Sequence, residues 1–284
     1  MPEFRKILDI HRGQATSDGA GVRLLRILGG PGIERFDPFL MLDEFGSNDP
    51  DDYIAGFPPH PHRGFETVTY MLEGRMRHED HMGNVGLLGS GGVQWMTAAR
   101  GVIHSEMPEQ EEGVMRGFQL WLNLPAKTKL SDAAYEDIPP ARIPRVQTRE
   151  GVTAVVIAGT FDDGTLRQPG AVQRPDTEPL YLDIHLPPGA SVSPRVAQGH
   201  RALLYIYEGA LGLEGHAAPI EAGHLARLSD TGEVRLTSET GARVLLIAGK
   251  PLNEPIVQYG PFVMNTREEI EQAMRDFHAN RLTA

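Results

Sequence analysis

Pro59-His60-Pro61-His62-Arg63-Gly64-Phe65-Glu66 is the stretch whose reading decides the architecture. On a β-strand, residues two apart face the same side, so His60 and His62 point together. Imidazole is a good ligand for divalent transition metals, and two such rings on one face make half a site. Forty-two residues after His62 comes His104, within Gly101-Val102-Ile103-His104-Ser105-Glu106, where His104 and Glu106 repeat the same spacing. Two pairs from two strands can enclose one ion with three nitrogens and one oxygen. A six-coordinate metal then keeps positions open for water, substrate or dioxygen. A single His-x-His arises readily by chance. Two paired motifs beside glycines in one strand-rich half are a stronger signal. The chain has no cysteine, so any metal must be held by nitrogen and oxygen.

Outward from these motifs, short apolar runs recur at 22–28, 66–72, 118–124, 152–157, 180–186, 202–207 and 242–248. Each is of strand length and bounded by Gly, Pro or Asp, which predicts an all-β sandwich or barrel. The exception lies at the C-terminus. Thr266-Arg267-Glu268-Glu269 has capping-box spacing, and Ile270, Ala273, Met274 and Phe277 follow at helical intervals. This predicts a short amphipathic helix packed on the body. The chain also echoes itself: Thr69-Tyr70-Met71-Leu72-Glu73-Gly74 resembles Leu204-Tyr205-Ile206-Tyr207-Glu208-Gly209. Two copies of one β-fold would produce that echo. A join at the Pro-rich stretch 138–144 divides the chain into 1–140, carrying the candidate ligands, and 141–284. Aligning the echoes puts Arg195 and Ala197 opposite His60 and His62, so the second half is expected to lack metal ligands.

Composition narrows the function classes. Of the 284 residues, 38 are acidic and 27 basic, a net charge of −11, with no Lys/Arg-rich run. Binding to nucleic acid or to anionic lipid over a broad basic face is therefore excluded as an expectation. No stretch approaches the ~20 apolar residues of a membrane span, and the first thirteen residues carry scattered charges. A soluble, cytoplasmic protein is expected.

Other features read as structural. His78-Glu79-Asp80-His81 suits a solvated hairpin, and Trp95 and Trp121 suit a core. Gly89-Ser90-Gly91-Gly92 lacks the following Lys-Ser/Thr of a phosphate loop. His200 and His224 are isolated. Phe57, Pro58 and Arg63 flank the ligands and are candidates for lining a pocket mouth.

The motifs carry a family resemblance. His60-x-His62-x-x-x-Glu66 followed by Gly74 resembles the first cupin motif, with seven residues between Glu66 and Gly74 where six are usual. Gly101-x-x-His104 resembles the core of the second. The segments 59–70, 94–98, 101–108, 118–125 and 258–266 resemble the pirin family, densely over 38–126 and loosely beyond. That resemblance implies a bicupin, two tandem cupin β-barrel or sandwich domains with a short C-terminal helix. It implies one divalent metal per chain, usually Fe(II), held by His60, His62, His104 and Glu106. Glu66, the carboxylate ligand of many other cupins, then becomes a support that orients a ligating imidazole, as a residue four positions after His62 on the same strand face can. The implied activity is quercetin 2,3-dioxygenase-like, with a flavonol and dioxygen as substrates and Glu106 as ligand and general base. Two rivals follow from the same resemblance: a non-enzymatic metal-binding regulator acting through a protein partner, and a zinc enzyme of another cupin class such as a sugar isomerase.

Overall fold

The structure, a computed structural model, describes residues 3–284. By their contacts these residues form two compact units. One comprises 14–140 with 252–284, and the other comprises the residues up to 13 with 141–251. The division near residue 140 is where the Pro-rich stretch lies. The ends differ from a simple cut at 140/141, because each terminus packs with the unit that is distant in sequence. Strand Ile7–Arg12 pairs antiparallel with His224–Leu228, which fixes the first terminus.

The unit carrying the histidines is built from sheets of seven and four strands. In spatial order the larger sheet runs Ala134–Ile138, Val93–Thr97, Phe65–Glu73, Met115–Asn123, Phe39–Ser47, Val22–Leu28 and Gln14–Asp18. The smaller runs Phe57–His62, Val102–Pro108, Arg75–Asp80 and Val85–Gly89. These are sandwich-type sheets and not a closed barrel. Val22, Leu24, Phe45, Met71 and Met115 of the larger sheet meet Met76 and Leu88 of the smaller in one core cluster. Alternation explains the choice: Arg75-Met76-Arg77-His78 reads exposed, buried, exposed, buried, as a half-buried strand should.

The chain passes from the small sheet to the large one at Gly64, which sits at φ +92°. A Cβ there would fall 1.9 Å from the Val263 carbonyl oxygen, so only glycine fits. The C-terminal segment continues from this point. The hairpin of Val257–Tyr259 and Phe262–Met264 precedes helix Arg267–His278. Thr266 Oγ1 accepts from the Glu269 amide and Glu269 Oε2 accepts from the Thr266 amide, completing the capping box. Ile270 and Ala273 pack with Phe262, Met264 and Leu282, so the apolar face of the helix is core.

The other unit is a ten-stranded assembly. Its main path runs Ile7–Arg12, His224–Leu228, Arg201–Leu213, Ala242–Gly249, Leu180–Leu186, Thr153–Ala158 and Arg145–Gln147. Leu180, Leu182, Ile184 and Leu186, every second residue of one strand, all enter its core. The two echoed segments take equivalent places. Phe65–Glu73 lies between Val93–Thr97 and Met115–Asn123, and Arg201–Leu213 lies between His224–Leu228 and Ala242–Gly249. Each unit is therefore a copy of one cupin plan. Among the described residues, no helix is long and apolar enough to cross a membrane.

Candidate metal centre

Strands Phe57–His62 and Val102–Pro108 pair antiparallel with His104 opposite His60. This register brings the first histidine pair and His104 together. Ring centroids are 4.7 Å apart for His60–His62, 4.3 Å for His60–His104 and 4.9 Å for His62–His104. Among the described residues, these three form the group whose potential ligand atoms lie within 4.8 Å of one another. The Nε2 atoms of His60 and His62 are 3.0 Å apart. His60 Nδ1 lies 2.9 Å from the Pro58 carbonyl oxygen, so its proton belongs there and Nε2 keeps its lone pair. His104 Nε2 is buried without a hydrogen-bond partner.

Glu106 also points inward and is buried, but it is not part of the three-histidine group. Thr69 Oγ1 donates to its Oε1 at 3.1 Å and Gln119 Nε2 donates to its Oε2 at 3.0 Å. Thr69 and Gln119 are cross-strand partners in the larger sheet, so they clasp a carboxylate presented by the smaller one. Trp121 Nε1 donates to Gln119 Oε1 at 3.2 Å, and so holds the amide in the orientation that offers its NH2 to Glu106.

A cavity of about 590 Å³ opens beside the histidines. His60, His62, Phe57, Met41, Gln119 and Trp121 are among its walls. The Trp121 ring meets His62 edge-on, with centroids 5.2 Å apart. Trp121 therefore faces the cavity, where the sequence suggested a core position, and Trp95 is the fully buried one. The apolar and polar mixture is that of a small-molecule site.

The Pirin family model matches residues 21–122, and that of the Pirin C-terminal cupin domain matches residues 181–283. Over 279 residues the chain is 67% identical to a Pseudomonas aeruginosa protein named "Putative quercetin 2,3-dioxygenase", with 98% of each chain covered. The chain belongs to the pirin family. It is 42% identical to human Pirin over 282 residues, covering 98% of this chain and 93% of that one. A crystal structure of quercetin 2,3-dioxygenase from Acinetobacter baumannii superposes with a TM-score of 0.90 at 33% identity, covering 99% of both chains.

The residues of this pirin fit a divalent metal. Two nitrogens ~2.1 Å from an ion and at right angles to each other would be about 3.0 Å apart, the separation seen for His60 and His62. Burial, and then the neighbouring His60 ring, pushes the His62 pKa well below the usual imidazole value. Burial likewise lowers His104, helped by His62, His60 and His78. Both rings are thus neutral at physiological pH, the form that ligates.

Three further sequence expectations need correction. Arg63 does not line the cavity. It is 6% exposed, and its guanidinium donates to the Arg100 carbonyl, to Asp276 Oδ2 at 2.9 Å and to the Leu282 carbonyl at 2.9 Å. Phe57 and Pro58 do line it. Glu66 is not on the His60–His62 strand, because the crossing at Gly64 puts it on Phe65–Glu73 in the other sheet. There its Oε1 accepts from Thr97 Oγ1 at 2.7 Å. His78 is not in a solvated hairpin but is wholly buried against His104. Its signal was the alternation of its strand, hidden by the charged neighbours that fill the exposed positions. Gln119 and Thr69 were also missed, since isolated polar residues within strands carry no metal-site spacing. In the other unit, Arg195 and Ala197 line a separate cavity of about 620 Å³. His200 lies 3.5 Å from Glu178, and His224 Nδ1 contacts the Glu221 carbonyl.

Proposed function

We propose that this pirin is an iron(II)-dependent dioxygenase able to cleave a quercetin-type flavonol with dioxygen. The observation that carries the reading is the cluster of three buried or half-buried histidines opening onto a cavity walled by Trp121, Phe57 and Met41. In this reading His60, His62 and His104 hold one metal per chain, and the second cupin domain holds none. Glu106 is the fourth ligand. When bound, the metal would supply Lewis acidity towards an ionised hydroxyl and one-electron chemistry towards dioxygen.

The chain's own residues do the rest. The cavity walls bind the flat rings and exclude water from them. Holding flavonol and dioxygen side by side removes the entropic cost of their meeting. Glu106 accepts the proton of the flavonol 3-hydroxyl. Its two oxygens each take one hydrogen bond, from Thr69 and Gln119, which leaves lone pairs for that second task. Glu66 supports the ligands from the neighbouring sheet. A cytoplasmic setting belongs to the same reading, since a cysteine-free chain needs no oxidising compartment.

The test is dioxygen uptake by iron-loaded protein with quercetin. One dioxygen should be consumed and one carbon monoxide released per flavonol, and a flavone lacking the 3-hydroxyl should not react. The His60→Ala, His62→Ala double variant should be inactive. Quercetin left intact with iron, manganese, nickel, cobalt and copper loaded in turn would refute the dioxygenase reading. A metal-binding regulator with a protein partner would take its place.

A further inference from the structure

Behind the metal site lies a buried polar chain that the proposed reaction does not use. Strand Arg75–Asp80 pairs with Val102–Pro108 on the side away from His60, setting Glu106 opposite His78 and His104 opposite Asp80. His78 is 0% exposed. Its Nδ1 lies 3.3 Å from His104 Nδ1, and its Nε2 lies 3.7 Å from Asp80 Oδ2. Tyr135 stacks on its ring at 4.3 Å and 21°. Behind Tyr135 there is no room: a Cβ on Gly86 would fall 1.8 Å from the Tyr135 hydroxyl.

The contact between His104 and His78 ties the tautomer of one ring to that of the other. A neutral imidazole carries one proton on one nitrogen. For His104 to ligate, Nε2 must offer its lone pair, so the proton sits on Nδ1. Two nitrogens 3.3 Å apart can share one proton but cannot comfortably present two lone pairs or two N–H groups. His104 Nδ1–H therefore donates to His78 Nδ1, which is bare. The His78 proton is then on Nε2, which makes no hydrogen bond and lies 3.7 Å from Asp80 Oδ2. That carboxylate is itself fixed: Oδ1 accepts from the amides of Met82 at 2.9 Å and Asn84 at 3.0 Å, and Oδ2 accepts from Asn84 Nδ2 at 2.7 Å. Hydrogen-bond acceptors behind metal-ligating histidines fix the tautomer and ring orientation and raise ligand basicity.

We propose that His78 is the positioning residue that holds His104 in its metal-ligating tautomer. The inference rests on the reading of His60, His62 and His104 as a metal site. The alternative is that His78 only fills space under Tyr135, and two substitutions separate the roles. His78→Phe keeps a stacked ring and removes the acceptor. His78→Asn loses the ring but puts an amide oxygen near the place of Nδ1.

The measurement is Ni(II) affinity of the full chain by competition with a chelator, at one pH, with folding checked by circular dichroism. His78→Phe should weaken Ni(II) binding by ~10- to 100-fold, the usual cost of losing such a support. His78→Asn should bind more tightly than His78→Phe and recover most of the loss. If His78→Phe does not fold, His78→Leu makes the same comparison. Equal affinity in His78→Phe and the wild type, or a tighter His78→Phe than His78→Asn, would overturn the proposal. The His60→Ala, His62→Ala variant is the control for the site itself. If it binds Ni(II) like the wild type, the metal-site reading falls and takes this inference with it. If it loses Ni(II) while His78→Phe does not, only the positioning role falls.

Discussion

Replacing Arg63 by methionine should loosen the C-terminal segment while leaving the three histidines in place. The Arg63 guanidinium ties the start of the large sheet to the helix and the residues after it, through Arg100, Asp276 and Leu282. Its side chain is 7% accessible and that of Asp276 18%. Hydrogen bonds to charged groups contribute ~1.5–3 kcal/mol each. Breaking a buried pair by removing one partner costs ~3–5 kcal/mol. Asp276 is only partly buried and can partly rehydrate, so the lower end, about 3 kcal/mol, is expected. For a domain of this size that lowers Tm by roughly 6–12 °C. Arg63→Lys should recover only part, because an ammonium cannot make the forked set of contacts. The assay is thermal unfolding by near-ultraviolet circular dichroism, with flavonol affinity measured well below the transition. A variant with wild-type Tm but weakened flavonol binding would refute this role and return Arg63 to the pocket mouth.

Lys129 should show itself in alkaline solution. It is 1% exposed, donates to Gly64, Asn123 and Val263, and burial lowers its pKa to about 8. Between there and the ordinary value of 10.5 the unfolded chain binds the extra proton. Stability should therefore rise with pH across that window, by up to ~1.4 kcal/mol per pH unit. Denaturant unfolding of Lys129→Met should lack this rise, and an identical slope in both proteins would contradict the assignment. Gly64→Ala should lower denaturation midpoints sharply, since its Cβ would overlap the Val263 carbonyl; a midpoint equal to wild type would mean the crossing is built differently. Glu106→Gln should weaken metal binding at least ~10-fold more than Glu66→Gln, as expected if Glu106 ligates and Glu66 only supports. Equilibrium dialysis reads this ranking, and its reversal would mean this chain uses the first-motif Glu as ligand.

Much of this architecture was legible in the chain. The apolar runs became strands because alternation and β-branched residues suit a half-buried pleat. Helix Arg267–His278 formed where Thr266 and Glu269 supply reciprocal caps. His60 and His62 share a face because of their period-two spacing, and the register that sets His104 opposite His60 brings the third ring to the same face. What stayed hidden depends on contacts between distant segments. Nothing local to Ile7–Arg12 signals that this strand pairs with His224–Leu228 more than 200 positions away. Arg63 was read by adjacency to the ligands, but Gly64 turns the chain there and its side chain leaves in another direction. His78 looked solvated because three of its near neighbours are charged. The strand pleat, not the composition, decides which of them faces inward. Gln119 and Thr69 reach Glu106 only because two sheets face each other, a relation that no spacing within one segment encodes.

The most direct test of the account is metal content after expression in iron-supplemented medium, measured per chain for the wild type and for the His60→Ala, His62→Ala, His104→Ala variant. The account predicts about one ion per wild-type chain and none in the folded variant. Two ions per wild-type chain, or an unchanged ratio in the variant, would contradict it.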